Sequence, residues 1–325
     1  MFETRNPFLS VKEISREALP GLAKSGNLYA IIDSCRVPAT PKKALELGEQ
    51  RVVSLYRDTS EGDFWEVAPY LFSVNDEVLR WMTNIASDEA WGVFIASRSD
   101  LVTLRYHFRH FLKVQEPEGN IWHFRFYDPR VLKPFLFACT EQEARYFWGP
   151  VQAYGIAEPE MAKIVFIQEA ISLSRSPEAP GRTYEFMFRL DPRHLEALRP
   201  QAEADFAYRI AKHMRKMGTP GVQGLPEKIL IKRIRLGILR AHGYGIARES
   251  TIAAFVALMF QFAPNFDEYP KFTQVLTTKR IPPDDRIDEL VLEASDEDWQ
   301  EVRRKADLSL WRKSDSEKHG LEAQS

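Results

Sequence analysis

Cysteine is nearly absent from the 325-residue chain, Cys35 and Cys139 being the whole complement. Two cysteines exclude a disulfide scaffold and suit a reducing compartment. Long apolar runs are missing too: the longest, Ile252 to Phe262, falls far short of the roughly 20 residues of a membrane span. Nor does one sign of charge dominate. Lys and Arg number 44 against 46 Asp and Glu, a net −2, so no overall field draws the chain onto nucleic acid or anionic lipid. Glu3, Lys12, Glu13 and Glu17 precede any apolar run, so no signal peptide is expected, and the expected setting is the cytoplasm. The motifs of common chemistries are lacking as well: no phosphate-cradling glycine loop, no GxSxG elbow and no HExxH helix. Gly218, Gly221 and Gly224 recur every third residue, but Pro220 and Pro226 make that stretch a turn-rich linker.

What is present is a globular composition, 44% hydrophobic and 28% charged, with an aromatic share of 12%. Aromatics fill cores, and they also form docking surfaces, where they are enriched at hot spots.

The first half alternates short apolar runs with helical periodicity. Strands are predicted near 28–33, 51–56, 91–96 and 121–127, with a further run, Ala68 to Phe72, whose Pro69 favours a sheet edge or a strand start. Helices are predicted over 41–47 and 77–85, and from Leu101, with Ser99 as cap and Leu104, Phe108 and Phe111 on one stripe. Asp128-Pro129 pairs a capping carboxylate with a proline at the first helical position, and Thr140 to Glu143 has capping-box spacing. Strands and helices in this order imply right-handed crossovers and a layered α/β or α+β lobe, a mixed sheet with flanking helices. Ile164 to Leu173 and Tyr184 to Leu190 are the last strand-like runs, around a turn region at Ser174 to Gly181.

From Pro192 onward everything reads as helix, in segments 192–216, 226–242, 249–263, 268–277 and 284–309. The division expected is an α/β domain over 1–160, connecting strands and turns over 161–191, an all-α lobe over 192–313 and a disordered tail over 314–325. Charge separates within the helical lobe. Arg193 to Arg248 holds twelve Lys/Arg against four Asp/Glu, and Asn265 to Asp307 holds twelve Asp/Glu against seven Lys/Arg. The basic stretch is a solvated face beside its acidic neighbour, a docking surface for a protein, or a nucleic-acid site that no binding fingerprint accompanies.

Candidates for chemistry are few. His107 and His110 stand three apart on the aromatic helix and are placed to share a metal, but no cluster of further ligands accompanies them. Cys35 follows Asp33-Ser34 at a strand end, and a nucleophilic role would require a paired His or another source of thiolate activation, which the sequence does not identify. Cys139 is expected as a small buried hydrophobe. No catalytic residue, metal or cofactor is assigned on these grounds. Sites assembled from distant loops leave no local motif, so an unrecognised hydrolase or transferase stays open beside a binding protein.

Leu28 to Asp33 (with Tyr29), Ala68-Pro69-Tyr70-Leu71, Trp81, Trp91-Gly92-Val93-Phe94 and the run Phe124-Arg125-Phe126-Tyr127-Asp128-Pro129-Arg130-Val131-Leu132 occur in an order that resembles the bacterial type VI secretion effector chaperone (adaptor) family, over residues 28–150. Cys35 stands where small residues are also expected. The resemblance implies a non-enzymatic cytoplasmic adaptor that binds one toxic effector and promotes its loading onto the spike protein. The motif residues mark the fold, and Asp128 is expected to cap a helix. For partner contact the expectation falls on the helical lobe, where Phe260, Phe262 and Phe266 lie near Lys232, Arg233 and Arg235.

Overall fold

A computed structural model describes residues 6–56, 62–85, 90–157, 163–169 and 187–316. The chain divides into two compact units, residues 1–201 and 202–325. The first holds strands β1 (Leu9–Ser15), β2 (Leu28–Asp33), β3 (Val52–Ser54), β4 (Pro69–Ser73), β5 (Gly92–Ala96), β6 (Lys113–Gln115), β7 (Ile121–His123), β8 (Ala153–Ala157), β9 (Lys163–Glu169) and β10 (Phe188–Arg189). Its helices are α1 (Leu19–Lys24), α2 (Thr40–Leu47), α3 (Asp76–Ile85), α4 (Leu101–His110), α5 (Pro129–Ala138) and α6 (Glu141–Trp148). Helix α7 (Pro192–Lys216) continues into the second unit, followed by α8 (Glu227–Gly243), α9 (Glu249–Gln261), α10 (Pro270–Thr277), α11 (Arg286–Glu293), α12 (Asp296–Arg304) and α13 (Ser309–Ser316).

A sheet lobe with flanking helices followed by a helical lobe is the expected class. The strand directions differ from the crossover reading. Seven strands in the order β1-β9-β8-β5-β2-β4-β3 pair antiparallel at every step. Periodicity marks where strands lie but carries no information on their direction or order. The parallel pair is β10 with β6, in a small mixed sheet β10-β6-β7. All six residues of β2 are buried, which is why its sequence is a continuous apolar run and not an alternating one. Pro69 opens β4, an interior strand, and lies opposite Asp33, so the strand-start reading holds and the edge reading does not.

Local boundaries shift in places. Asp100, not Ser99, caps α4, its carboxylate accepting the Thr103 N–H at 2.7 Å. The predicted strand 121–127 stops at His123, because Asp128 N–H turns back to the Arg125 carbonyl at 2.9 Å. The segment 284–309 is not one helix: it breaks where Ser295 forms a capping box with Asp298, and again after α12, before α13 begins at Ser309. Helix α13 reaches Ser316 and Ser314 is buried, so the expected tail does not start at 314. The turn region Ser174 to Gly181 and the tail from 317 lie outside the described residues.

Aromatics centre the first core. Phe111 packs edge-on against Phe147 at 4.8 Å between ring centroids, and Phe135 against Phe124 and Phe147 at 4.8 and 5.0 Å. In the second unit α9 is apolar nearly all round, and such a helix belongs inside. Ile252, Phe255, Val256, Leu258 and Met259 are buried, so the stretch Ile252–Phe262 is the lobe's core helix and not an exposed docking face.

Candidate functional site

Several residues of the motif meet near the C-terminal end of β2. Asp33, 1% exposed, accepts the Cys35 N–H at 3.0 Å on one carboxylate oxygen and pairs with Arg125 on the other. Burial works against the Arg125 charge, but Asp33 beside it prevails and raises its pKa. Tyr56 and Tyr127 share the imidazole of His123, with hydroxyl-to-Nε2 distances of 2.8 and 3.2 Å. Burial pushes both phenols up, Tyr127 the more strongly. Asp128 caps α5, accepting the Arg130 N–H at 2.9 Å, and it also holds the Arg130 guanidinium at 3.0 and 2.7 Å. Pro129 starts that helix and Phe126 is wholly buried.

Other motif residues build the frame. Tyr29 donates its hydroxyl to the Ser99 carbonyl at 2.8 Å, and Tyr70 donates to the Trp65 carbonyl at 3.0 Å. Trp81 stacks on Phe72 and Trp91 packs edge-on against Phe94. Gly92 sits where a Cβ would overlap the Ile31 carbonyl oxygen and lie 3.0 Å from its carbon.

Several large apolar side chains close in sequence to this network are exposed. Phe64 (59% exposed), Trp65 (46%) and Val67 lie on the 3₁₀ segment Gly62–Val67, and the Val67 carbonyl is 3.7 Å from the Cys35 thiol. Ile121 (60%) and Trp122 (44%) precede His123 on β7. Val102 and Tyr106 project from α4, which reaches β3 through Arg105 Nε to the Ser54 carbonyl at 3.3 Å. Exposed aromatics bordering a rigid polar network have the composition of a protein-docking patch. Sequence reasoning missed these residues, since Ile121 and Trp122 looked like core strand. The visible signal was Phe64-Trp65 between Asp63 and Glu66, two adjacent aromatics in a polar loop without periodicity.

The expected docking residues in the helical lobe are engaged internally. Phe266 is wholly buried, 4.8 Å from Phe255. Phe262 stacks on Trp299 at 4.0 Å beneath the Arg303 guanidinium, and Phe260 packs on Trp311 at 5.0 Å. Lys232 donates to the Asp315 carbonyl, Arg233 holds the Asp315 carboxylate at 3.1 and 2.7 Å, and Arg235 is half-buried. Arg240 closes on buried Asp267 and on Glu268, and Arg248 on Asp285. Much of the basic stretch is thus matched within its own unit.

Among the described residues, the titratable candidates read from the sequence are engaged in packing or hydrogen bonds. Burial and the Asp33 charge push the Cys35 thiol up, and His123 is committed to the two tyrosines. His107 is buried against Phe108 and Phe111, whereas His110 bonds Tyr146 at 2.8 Å. Ligand atoms of Cys139, Glu143 and His194 come within 4.8 Å of one another, a set absent from the sequence expectations. Their hydrogen bonds argue against a metal. The Asp191 N–H donates to His194 Nδ1 at 2.9 Å, so Nε2 carries the proton and faces Glu143 at 3.6 Å. The nearer Glu143 oxygen already accepts from Thr140 N–H and hydroxyl, at 2.7 and 2.8 Å, and burial keeps Cys139 a thiol. The cluster is a polar seam that pins α6 to the start of α7.

No helix among the described residues is long and apolar enough to cross a membrane. No curated protein and no solved structure matches the chain. Residues 28–146, from the first residue of β2 into α6, match the model of the family described as Domain of unknown function (DUF4123).

Proposed function

We propose that the protein is a cytoplasmic, non-enzymatic adaptor that binds a type VI secretion effector and promotes its loading onto the spike protein. The observation that carries this reading is a coincidence of place. The segment that matches the family, 28–146, is also the segment that presents Phe64, Trp65, Ile121 and Trp122 to solvent around the Asp33–Arg125 pair. The family description assigns no function; the motif resemblance supplies the adaptor role, and a loading chaperone needs an apolar surface that it can later release.

The test is affinity capture from the native bacterium, with mass spectrometry of what stays bound, beside a strain lacking the gene. Capture of one toxin and the spike, with loss of that toxin's secretion alone, is the expected result. Trp65→Ala with Trp122→Ala should leave the melting curve in place and weaken capture at least about tenfold, the scale of losing one aromatic hot spot. Undiminished effector delivery from the deletion strain, with neither partner bound by the pure protein, overturns the proposal.

A further inference from the structure

The outer face of α11 combines exposed apolar side chains with carboxylates. Ile287 and Leu290 turn inward and are buried, while Val291 and Leu292 stand 49% and 81% exposed, outside the packed core. Asp288, Glu289, Glu293 and Asp296 share this end of the lobe, and none of them forms an ion pair among the described residues. Of the cations nearby, Lys271 bonds Asp298 and the Glu293 carbonyl, and Arg286 donates to the carbonyls of Ile281, Tyr244 and Leu276.

Part of this arrangement works against the helix that carries it. Glu289 and Glu293 are like charges four apart, and Glu293 lies at the C-terminal end, where the helix dipole favours cations. Elsewhere in the same unit the sequence does the reverse, closing Arg240 on Asp267 and Arg233 on Asp315. Asp288 and Glu289 also lie in the first turn of α11, and Asp296 in that of α12, where the dipole favours carboxylates, so the Glu289–Glu293 pair is the part of this charge that the helix does not need.

We propose that the α11 face is a docking site for a basic, apolar protein segment, with Val291 and Leu292 covered by apolar side chains and the surrounding carboxylates meeting Lys or Arg. Charge complementarity selects the occupant, since an acidic segment or a nucleic acid would be repelled. Removing the mutual repulsion of the carboxylates adds to the attraction, and opposite charge also speeds encounter. This inference goes beyond the adaptor reading and does not depend on it.

The test is titration of the full chain, by calorimetry or fluorescence anisotropy, with a synthetic amphipathic helical peptide of leucine and lysine. Its leucine–glutamate counterpart serves as the control. The lysine peptide should bind and the glutamate peptide should not. Leu292→Asp, and separately Glu289→Lys with Glu293→Lys, should each weaken binding about tenfold or more, whereas the same charge change made by Glu118→Lys with Glu203→Lys should leave it within about twofold. Circular dichroism melts check that each variant is folded, and Leu292→Ser replaces any that is not. Equal binding by the α11 variants and the parent, binding of both peptides, or binding of neither overturns the site. Effector capture, measured separately, is untouched by that failure.

Discussion

Asp128 performs two tasks at once, capping α5 and holding the Arg130 guanidinium through both oxygens while itself nearly buried. Asp128→Ala should cost toward the upper end of the usual 0.5–2 kcal/mol for a lost cap, about 2 kcal/mol, measured by urea unfolding. Asp128→Asn keeps a capping oxygen and should cost less. If the alanine variant unfolds like the parent, the residue's place in the motif has another cause. His194 gives a pH signature. Burial lowers its pKa below the usual 6.5 despite Glu143 nearby, so the unfolded chain takes up the proton more readily than the folded one. Stability from this site is complete above pH 6.5 and is lost as pH falls from there toward the lowered folded pKa. His110, lowered by burial, acts with the same sign, while Asp267 in the second unit is raised by burial and acts with the opposite sign at lower pH. The melting temperature should therefore fall between about pH 7 and about pH 5.5, less steeply in His194→Gln. An unchanged slope in that variant would place the proton uptake elsewhere.

Two glycines show how element packing sets the cost of one methyl group. At Gly92 an added Cβ overlaps the backbone of β2, which cannot retreat without breaking the Ile32–Gly92 register. At Gly237 it meets Val256 Cγ2 at 2.8 Å and Met259 Sδ at 3.0 Å on α9, and the methionine can swing aside. Gly92→Ala should lose about 1–3 kcal/mol through overpacking, by chemical denaturation. Gly237→Ala should lose less than Gly92→Ala, because the helix gains about 1 kcal/mol of propensity from alanine to set against the close approach of the stiff Val256 side chain. Reversal of this order would mean that β5 and β2 are not so closely apposed. Elements were legible where their ends carry chemistry: Asp128-Pro129 for α5, Thr140 with Glu143 for α6 and continuous burial for β2. They were misread where apolar character outran structure. Phe124 to Tyr127 is aromatic because it fills the core, not because it extends β7, and α9 is apolar because it is enclosed. The rim eluded sequence reasoning for the same reason, since exposure of Trp65 or Trp122 depends on neighbours from other elements.

On the scale of the molecule, the matched segment 28–146 is not a folding unit. It omits β8, whose pairing with β5 covers a strand in which Val93, Phe94 and Ile95 are wholly buried, and it omits both β1 and β9. A fragment of residues 28–146 should be insoluble or lack a cooperative melt by circular dichroism, whereas 1–201 should melt cooperatively; a cooperative melt in the shorter fragment would show the outer strands to be dispensable. The pairing of β1 with β9 sets Leu9 opposite Glu169 and so joins the two ends of this sheet's sequence. During synthesis β1 emerges early and then waits for about 150 further residues, on the order of ten seconds or more at roughly 5–20 residues per second. Until then β1 lacks β9, and β5 once made lacks β8, so the nascent lobe exposes the strand edges on which aggregation begins. The chain thus leaves these edges open while β8 and β9 are still being made, and the tempo of translation across residues 15–163 bears on its yield.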